Sequence, residues 1–155
     1  MSIRFLPMPT ETASAYWNGG ADAYGMPPER QISDGDGVPC RHCLRVVGAG
    51  EAYLILAHRP FPALQPYAET GPIFLHAEPC EPHAPSETMP PMLTSRDYIL
   101  RGYSKDDRIL YGTGAVVPNA DIAEYAAGLL AREDVAYVHI RSARNNCYQC
   151  RVERA

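Results

Sequence analysis

The sequence lacks any long apolar segment. Nowhere do its 155 residues approach the ~18 consecutive apolar positions that a membrane-spanning helix needs. The first residues, Met1 to Pro7, contain no apolar stretch of signal-peptide length. We therefore expect a cytoplasmic protein that contacts no membrane. Thiols in the cytoplasm are normally kept reduced, which favours metal binding, catalysis or simple burial of the cysteines over disulfides.

The sequence also lacks internal repeats, a low-complexity tail and an excess of positive charge. The formal net charge is -4, so the surface as a whole does not favour nucleic acids. A chain of 155 residues has the usual length of one domain and can bury a sufficient core without staples. We predict a single domain over residues 1–155, with no nucleic-acid partner.

Hydrophobic patterning predicts an α+β fold, in which a mainly antiparallel sheet packs against one main amphipathic helix over about residues 119–132. Asn119 is suited to cap that helix. A shorter helix is expected around residues 13–17. The 15 prolines cluster at 59–72 and 78–92, which should therefore be ordered loops. The predicted strands are 3–8, 51–58, 72–77, 97–103, 108–117, 135–142 and 147–153.

The last two strands should form a C-terminal β-hairpin, since Asn145 and Asn146 suit a tight turn. Strand alternation places Val138 and Ile140 towards the core and turns His139 to the opposite face. The same rule groups the residues of the closing strand as Tyr148, Cys150 and Val152 on one side, and Cys147, Gln149 and Arg151 on the other.

Four of the five cysteines lie in two C-x-x-C units, Cys40–Cys43 and Cys147–Cys150. Four thiolates form a donor set that zinc prefers, so one hypothesis is a zinc ion bound by all four. A regular strand would separate Cys147 from Cys150, and no glycine follows either unit, so mixed sets remain open. These would draw on His42, His76, Cys80 or His139. The plainer alternative is that the cysteines are buried apolar residues.

Catalysis by a cysteine is the second hypothesis. Cys80 with His76 or His139 could supply a nucleophile and a base. The Cys40–Cys43 unit could instead carry thiol–disulfide chemistry, although no βαβ pattern surrounds it. A histidine on a strand is more often a hydrogen-bonded structural residue.

Arginines crowd the C-terminal strands and suggest an anion site. Arg101, Arg141 and Arg151 could bind a carboxylate or phosphate, because guanidinium groups bind these anions in a bidentate manner. A solvated edge with internal salt bridges is the equal alternative.

Four motifs in this order give a resemblance to a known family. They are Pro39 to Leu44, Gly71 to Cys80, Ala136 to Ile140 and Cys147 to Val152. Together they resemble a family of small bacterial proteins catalogued as domain of unknown function 1203. The resemblance implies a soluble bacterial protein and suggests that the cysteines, with His76 and His139, are signature positions. It implies no activity, and Asn145–Asn146 stands where the family has a glycine-containing turn.

Two functions therefore stay open. The first is a non-enzymatic domain that binds a small molecule or a protein partner, with a zinc ion held by cysteine and histidine. The second is an enzyme that depends on a cysteine thiolate and a histidine base.

Overall fold

The computed structural model describes residues 2–155 and contains two antiparallel sheets. The strands are β1 (Ile3–Leu6), β2 (Glu29–Ile32), β3 (Ala52–His58), β4 (Gly71–His76), β5 (Asp97–Tyr103), β6 (Ala115–Pro118), β7 (Tyr137–Ser142) and β8 (Tyr148–Arg154). The helices are α1 (Thr10–Trp17) and α2 (Ile122–Leu130). One sheet has the order β1-β8-β7-β5-β6 and the other β2-β3-β4. The α+β prediction, the main helix and the C-terminal hairpin are confirmed.

Helix α2 covers one face of the five-stranded sheet. Its apolar stripe, which includes Ile122, Ala126 and Leu130, joins the inward side chains of β5, β7 and β8 in the largest core cluster. A turn of 3-10 helix, Asn119–Asp121, precedes it. Asn119 does not cap the helix, because its side-chain amide donates to the carbonyls of Leu93 and Ser95 instead. Among residues 2–155, no helix is both long and apolar enough to cross a bilayer.

The predicted strand over residues 108–117 is mostly wrong. Strand β6 is shorter and pairs with β5, while Ile109 makes only an isolated bridge to Tyr103. Between them the chain turns at Gly112, whose φ of +91° lies in the left-handed region that favours glycine. Strands β5 and β6 therefore form a hairpin, and residues 104–114 connect them.

The proline-rich segments are ordered connections, as predicted, apart from the start of β4. Pro72 lies inside β4 because this strand is at the edge of its sheet, where the missing N–H leaves no ladder bond unmade. The segment 78–92 contributes an isolated bridge from Ser86 to Phe5 on β1 and no regular strand or helix.

A β-bulge in the C-terminal hairpin changes the predicted faces. Ile140 is opposite Cys150, but Arg141 is opposite Tyr148, so Gln149 is the extra residue. Val138 and Ile140 face the core under α2, as predicted. Tyr148 was predicted on the same side as Cys150 and is instead turned to the opposite face, where its ring contacts His139. That face is also covered, and His139 is only 1% exposed.

Replacing a core leucine tests the packing of α2. Leu130 is fully buried, so Leu130→Ala should lower the free energy of unfolding by about 2–5 kcal/mol through lost burial and a residual cavity. Leu64→Ala makes the same substitution at a side chain that is 80% exposed, and should change stability by less than about 0.5 kcal/mol. Urea denaturation measures both, and equal effects would contradict this packing.

Candidate metal centre

The first C-x-x-C unit forms the tip of a short hairpin, which we call the knuckle (residues 39–46). A bridge pairs Pro39 with Val46, and the Cys40 amide donates to the Arg45 carbonyl. The amide of Leu44 donates back to the carbonyl of Cys40. Leu44 therefore has a φ of +57°, a conformation usually left to glycine. Its side chain is fully buried in the core under α2, and this burial offsets the cost of the strained backbone.

The end of β4 brings two further donors to the knuckle. His76 is the last residue of that strand, and Cys80 follows after a short turn. A ligand atom from each of Cys40, Cys43, His76 and Cys80 lies within 4.8 Å of the others. Three thiols and an imidazole therefore converge on one point, and these four residues can hold a metal ion.

Two of the separations among these atoms equal the edges of a tetrahedron around a zinc ion. A Zn–S bond of about 2.3 Å and a Zn–N bond of about 2.0 Å place two sulfurs about 3.8 Å apart, and a sulfur and a nitrogen about 3.5 Å apart. The Cys40 and Cys80 sulfurs are separated by 3.8 Å. The Cys43 sulfur lies 3.5 Å from Nδ1 of His76. Four protein ligands would fill the coordination sphere, which is typical of a structural zinc site.

Polar groups around these four residues orient them. Nε2 of His76 lies 3.6 Å from a carboxylate oxygen of Glu51, which is longer than a direct hydrogen bond. The carboxylate is nevertheless on the side of the ring where carboxylates commonly orient a ligating imidazole. The backbone amide of His76 donates to the Cys40 sulfur at 3.3 Å. The indole of Trp17 donates to the carbonyl of His76 at 2.8 Å and so fixes the end of β4.

His42 forms a hydrogen bond with the Cys80 sulfur. Its Nδ1 is 3.2 Å from that sulfur, and its Nε2 is 2.8 Å from the hydroxyl of Thr10 on α1. A neutral ring meets both contacts when Nδ1 donates to sulfur and Nε2 accepts from the hydroxyl. Burial lowers the pKa of His42, which favours this neutral form.

The thiols of the cluster differ in acidity. Hydrogen bonds from the Cys43 and Cys80 thiols lower the pKa of Cys40. The same hydrogen bond to Cys40 raises the pKa of Cys43 to about 11. The first proton lost therefore leaves a negative charge on Cys40, the sulfur that also accepts the backbone amide. A thiolate is the form that binds metal.

A cavity of about 770 Å³ opens beside the centre. It is bordered by three of the four residues, Cys43, His76 and Cys80, and by Arg45 and His83. His76 and Cys80 are half-buried beside this cavity, whereas Cys40 is fully buried.

The second C-x-x-C unit does not join this group. Cys150 is fully buried opposite Ile140 in the core under α2, where burial raises its pKa to about 12. Cys147 lies before the bulge, and its thiol donates to the carbonyl of Asn145 at 3.7 Å. Neither sulfur belongs to the cluster of ligand atoms, so the mixed set replaces the predicted set of Cys40, Cys43, Cys147 and Cys150. Within residues 2–155, which include every cysteine, all five thiols are free.

The two histidines that were predicted as bases, His76 and His139, lie in different parts of the fold. His76 and Cys80 meet at the metal centre, whereas His139 lies on β7 among aromatic rings. Neither nitrogen of His139 has a hydrogen-bond partner among residues 2–155. His139 is therefore not paired with a thiol, and a cysteine–histidine dyad including it is not formed.

The predicted anion-binding arginines already bind carboxylates of the chain. Arg101 and Arg141 both contact Glu69, at 2.5 Å and 3.3 Å. Arg151 is paired with Glu153 at 2.7 Å and lies over the ring of Tyr137. These internal salt bridges match the alternative interpretation of the arginine cluster as a salt-bridged edge.

Arg41 is the most buried cation of the knuckle, with only 2% of its surface exposed. Its guanidinium donates to the carbonyls of Tyr148, at 2.8 Å, and Pro39, at 2.7 Å. Burial lowers its pKa to about 10. Only the fold could reveal this role, because the partners are backbone carbonyls that leave no mark in sequence.

Comparison with known proteins yields one family. A profile described as "Protein of unknown function (DUF1203)" matches residues 37–154. The matched span contains the whole metal centre. No curated protein and no solved structure matches the chain.

Removing the carboxylate of Glu69 tests the arginine cluster. Partial burial acts to raise the pKa of Glu69, but the charges of Arg141 and Arg101 outweigh it and hold the pKa below the ordinary 4.5. Glu69→Gln should therefore cost about 1–3 kcal/mol at neutral pH, since the buried Arg141 loses its counter-charge.

The pH dependence of that cost follows from the lowered pKa. Because the folded state binds the proton of Glu69 less tightly, its stabilisation is present above pH about 4.5 and is lost as the pH falls through the folded pKa. Urea denaturation of both proteins between neutral and acid pH should show the difference shrinking. Glu29→Gln, at an exposed position on β2, is the matched control. A difference independent of pH would contradict the charge interaction.

Proposed function

The chain belongs to a family of proteins of unknown function, and we propose, from the geometry of its own residues, that it is a zinc-organised domain that binds a small ligand. The zinc ion would be held by Cys40, Cys43, His76 and Cys80. The observation that carries this proposal is the convergence of three thiols and an imidazole within 4.8 Å of one another, with two separations that equal edges of a zinc tetrahedron.

Zinc is favoured over other ions by the chemistry of the donors. Three thiolates and one imidazole are soft to borderline ligands, which suit zinc and discriminate against calcium and magnesium. Four protein ligands leave no open position for a substrate, so the ion would act as a structural brace. It would join the knuckle to the end of β4, two segments more than thirty residues apart along the chain. Reduced thiols are required for this, which agrees with the expected cytoplasmic location.

A thiol-dependent activity is the second candidate, and one contact favours it. The Cys40 and Cys80 sulfurs are neighbours at 3.8 Å, with His42 beside Cys80. In protein stripped of metal, hydrogen peroxide could oxidise this pair to a disulfide. The two thiols would lose two electrons and two protons, and the peroxide would be reduced to water. If zinc is the resident group, metal-loaded protein should resist this reaction.

Metal content is the direct test of the zinc site. Protein purified without added chelator should contain about one zinc per chain by elemental mass spectrometry, and Cys40→Ser should lose it. Cys150→Ser is the matched control, because Cys150 is also fully buried but lies in the core under α2. That variant loses stability through a buried hydroxyl yet should keep its zinc. Cys147→Ser should keep both its stability and its zinc.

Two outcomes would contradict the zinc proposal. One is wild-type protein without metal that also fails to take up zinc after reduction. The other is zinc lost equally from Cys40→Ser and Cys150→Ser, since unfolding rather than coordination would then explain the loss.

The supporting carboxylate gives a second test. Glu51→Gln should weaken zinc binding by about 10–100-fold, because the imidazole of His76 loses the charged partner that orients it. Competition with a chromophoric chelator measures the affinity. Glu78→Gln is the control, since Glu78 pairs with Arg30 on the surface. An unchanged affinity in Glu51→Gln would show that this carboxylate does not support the ligand.

A further inference from the structure

A second cavity, which we call the aromatic pocket, lies where the two sheets meet. Its volume is about 520 Å³, within the range of small-molecule sites. Its floor is the face of β7 and β8 opposite α2, represented by His139, Tyr148 and Arg151. Its walls are α1 with the segment before it, and the turn from His58 to Pro62. None of the four residues of the metal centre borders it.

His139 is an unpartnered polar group at this pocket. It is 1% exposed, and neither ring nitrogen has a hydrogen-bond partner within residues 2–155. Four aromatic rings surround it, with centroids 4.8 to 5.2 Å away: Phe61, Tyr103, Tyr137 and Tyr148. Leaving a buried donor and acceptor unmet costs about 1–3 kcal/mol each. Such a cost is typical of a site where a bound molecule supplies the missing partner.

Two more groups at the pocket are only partly satisfied. Nδ1 of His58 lies 3.2 Å from the hydroxyl of Tyr16, and no described residue forms a hydrogen bond with its other nitrogen. Arg59 donates its Nε proton to the Phe61 carbonyl and has no ion-pair partner among residues 2–155. Burial, with the nearby arginines, lowers the pKa of His58 to about 4. Both histidines are therefore neutral hydrogen-bonding groups at neutral pH, since burial also lowers the pKa of His139.

The charge of the lining selects the ligand. Arg151 is neutralised by Glu153, which leaves Arg59 as the lining cation that has no ion-pair partner in the described part of the chain. The rest of the wall is mainly apolar and includes Leu6, Met8 and Phe61, with several prolines. A molecule that fits this lining has a flat apolar body, one negative charge and a hydroxyl group.

We propose that the aromatic pocket binds a monocyclic aromatic hydroxy acid, with its carboxylate on Arg59, its ring against Phe61 and Tyr148, and its hydroxyl on His139. This rests on the proposed ligand-binding role and names its ligand class, but it does not depend on the metal. Metal content and ligand affinity are measured separately, so failure of one is distinguishable from failure of the other.

Binding of 4-hydroxybenzoate to the zinc-loaded full chain is the test. Isothermal titration calorimetry and saturation-transfer NMR should detect saturable one-site binding. Benzoate, which lacks the hydroxyl, and 4-hydroxybenzamide, which lacks the charge, should each bind at least about tenfold more weakly.

Two variants assign the contacts. His139→Phe should weaken 4-hydroxybenzoate binding by about tenfold or more while leaving benzoate affinity unchanged. Its thermal midpoint should equal or exceed that of wild type, because two unmet polar atoms are removed. Arg59→Gln, at a half-buried position, should weaken both acids and not the amide. Arg96→Gln, at a side chain 82% exposed and outside the pocket, is the control.

Two results would overturn the proposal. The first is the absence of saturable 4-hydroxybenzoate binding up to millimolar concentration. The second is binding that is equal in wild type, His139→Phe and Arg59→Gln, since the probe would then lie elsewhere. Should His139→Phe fail to fold, Arg59→Gln and the benzamide comparison still decide the outcome.

Discussion

The burial of five consecutive residues at the tip of the knuckle, Cys40 to Leu44, is the constraint on which the rest of the structure depends. A loop exposes its backbone by default, because its polar groups need partners. Here the five side chains leave the loop towards four different parts of the fold. Cys40 and Cys43 point to the end of β4, Arg41 reaches β8, and Leu44 enters the core under α2. His42 contacts α1 through Thr10.

This arrangement explains why a metal would suit a domain that already has a large core. The core under α2 stabilises the five-stranded sheet, but the three-stranded sheet meets it mainly through the knuckle and the cluster around Tyr148. An ion held by residues from both the knuckle and β4 would fix that junction. The junction also forms the wall of the aromatic pocket, since His58 ends β3 and Tyr148 begins β8. A brace at the junction would therefore hold the pocket in shape without taking part in binding.

Sequence patterning predicted the helices and strands better than it predicted which side chains contact one another. The stripe of Ile122, Ala126 and Leu130 predicted α2, because a helix that packs on a core has apolar residues at the spacing of its turns. Alternation along β7 predicted the core face of Val138 and Ile140 for the same reason. The same rule failed at Tyr148, because Gln149 is one extra residue in the strand. Residues before Gln149 therefore lie on the opposite face from the one that simple alternation predicts. Nothing in the local sequence marks that bulge.

The metal ligands show the same limit. The two C-x-x-C units look equivalent in sequence, yet one is a turn and the other an extended strand. The turn places Leu44 in a left-handed conformation that usually requires glycine, and this strained backbone depends on a core that forms only in the fold. His76 and Cys80 were named as alternatives, and their approach to the knuckle required the pairing of β3 with β4. Arg41 and the carboxylate of Glu51 left no sequence pattern from which their roles could be predicted.

X-ray absorption at the zinc edge of the purified protein tests the central claim most directly, because it counts the atoms bound to the ion. The Cys40, Cys43, His76 and Cys80 set predicts a first shell of three sulfurs at about 2.3 Å and one nitrogen at about 2.0 Å. A shell of four sulfurs, or one made only of oxygen and nitrogen, would contradict it.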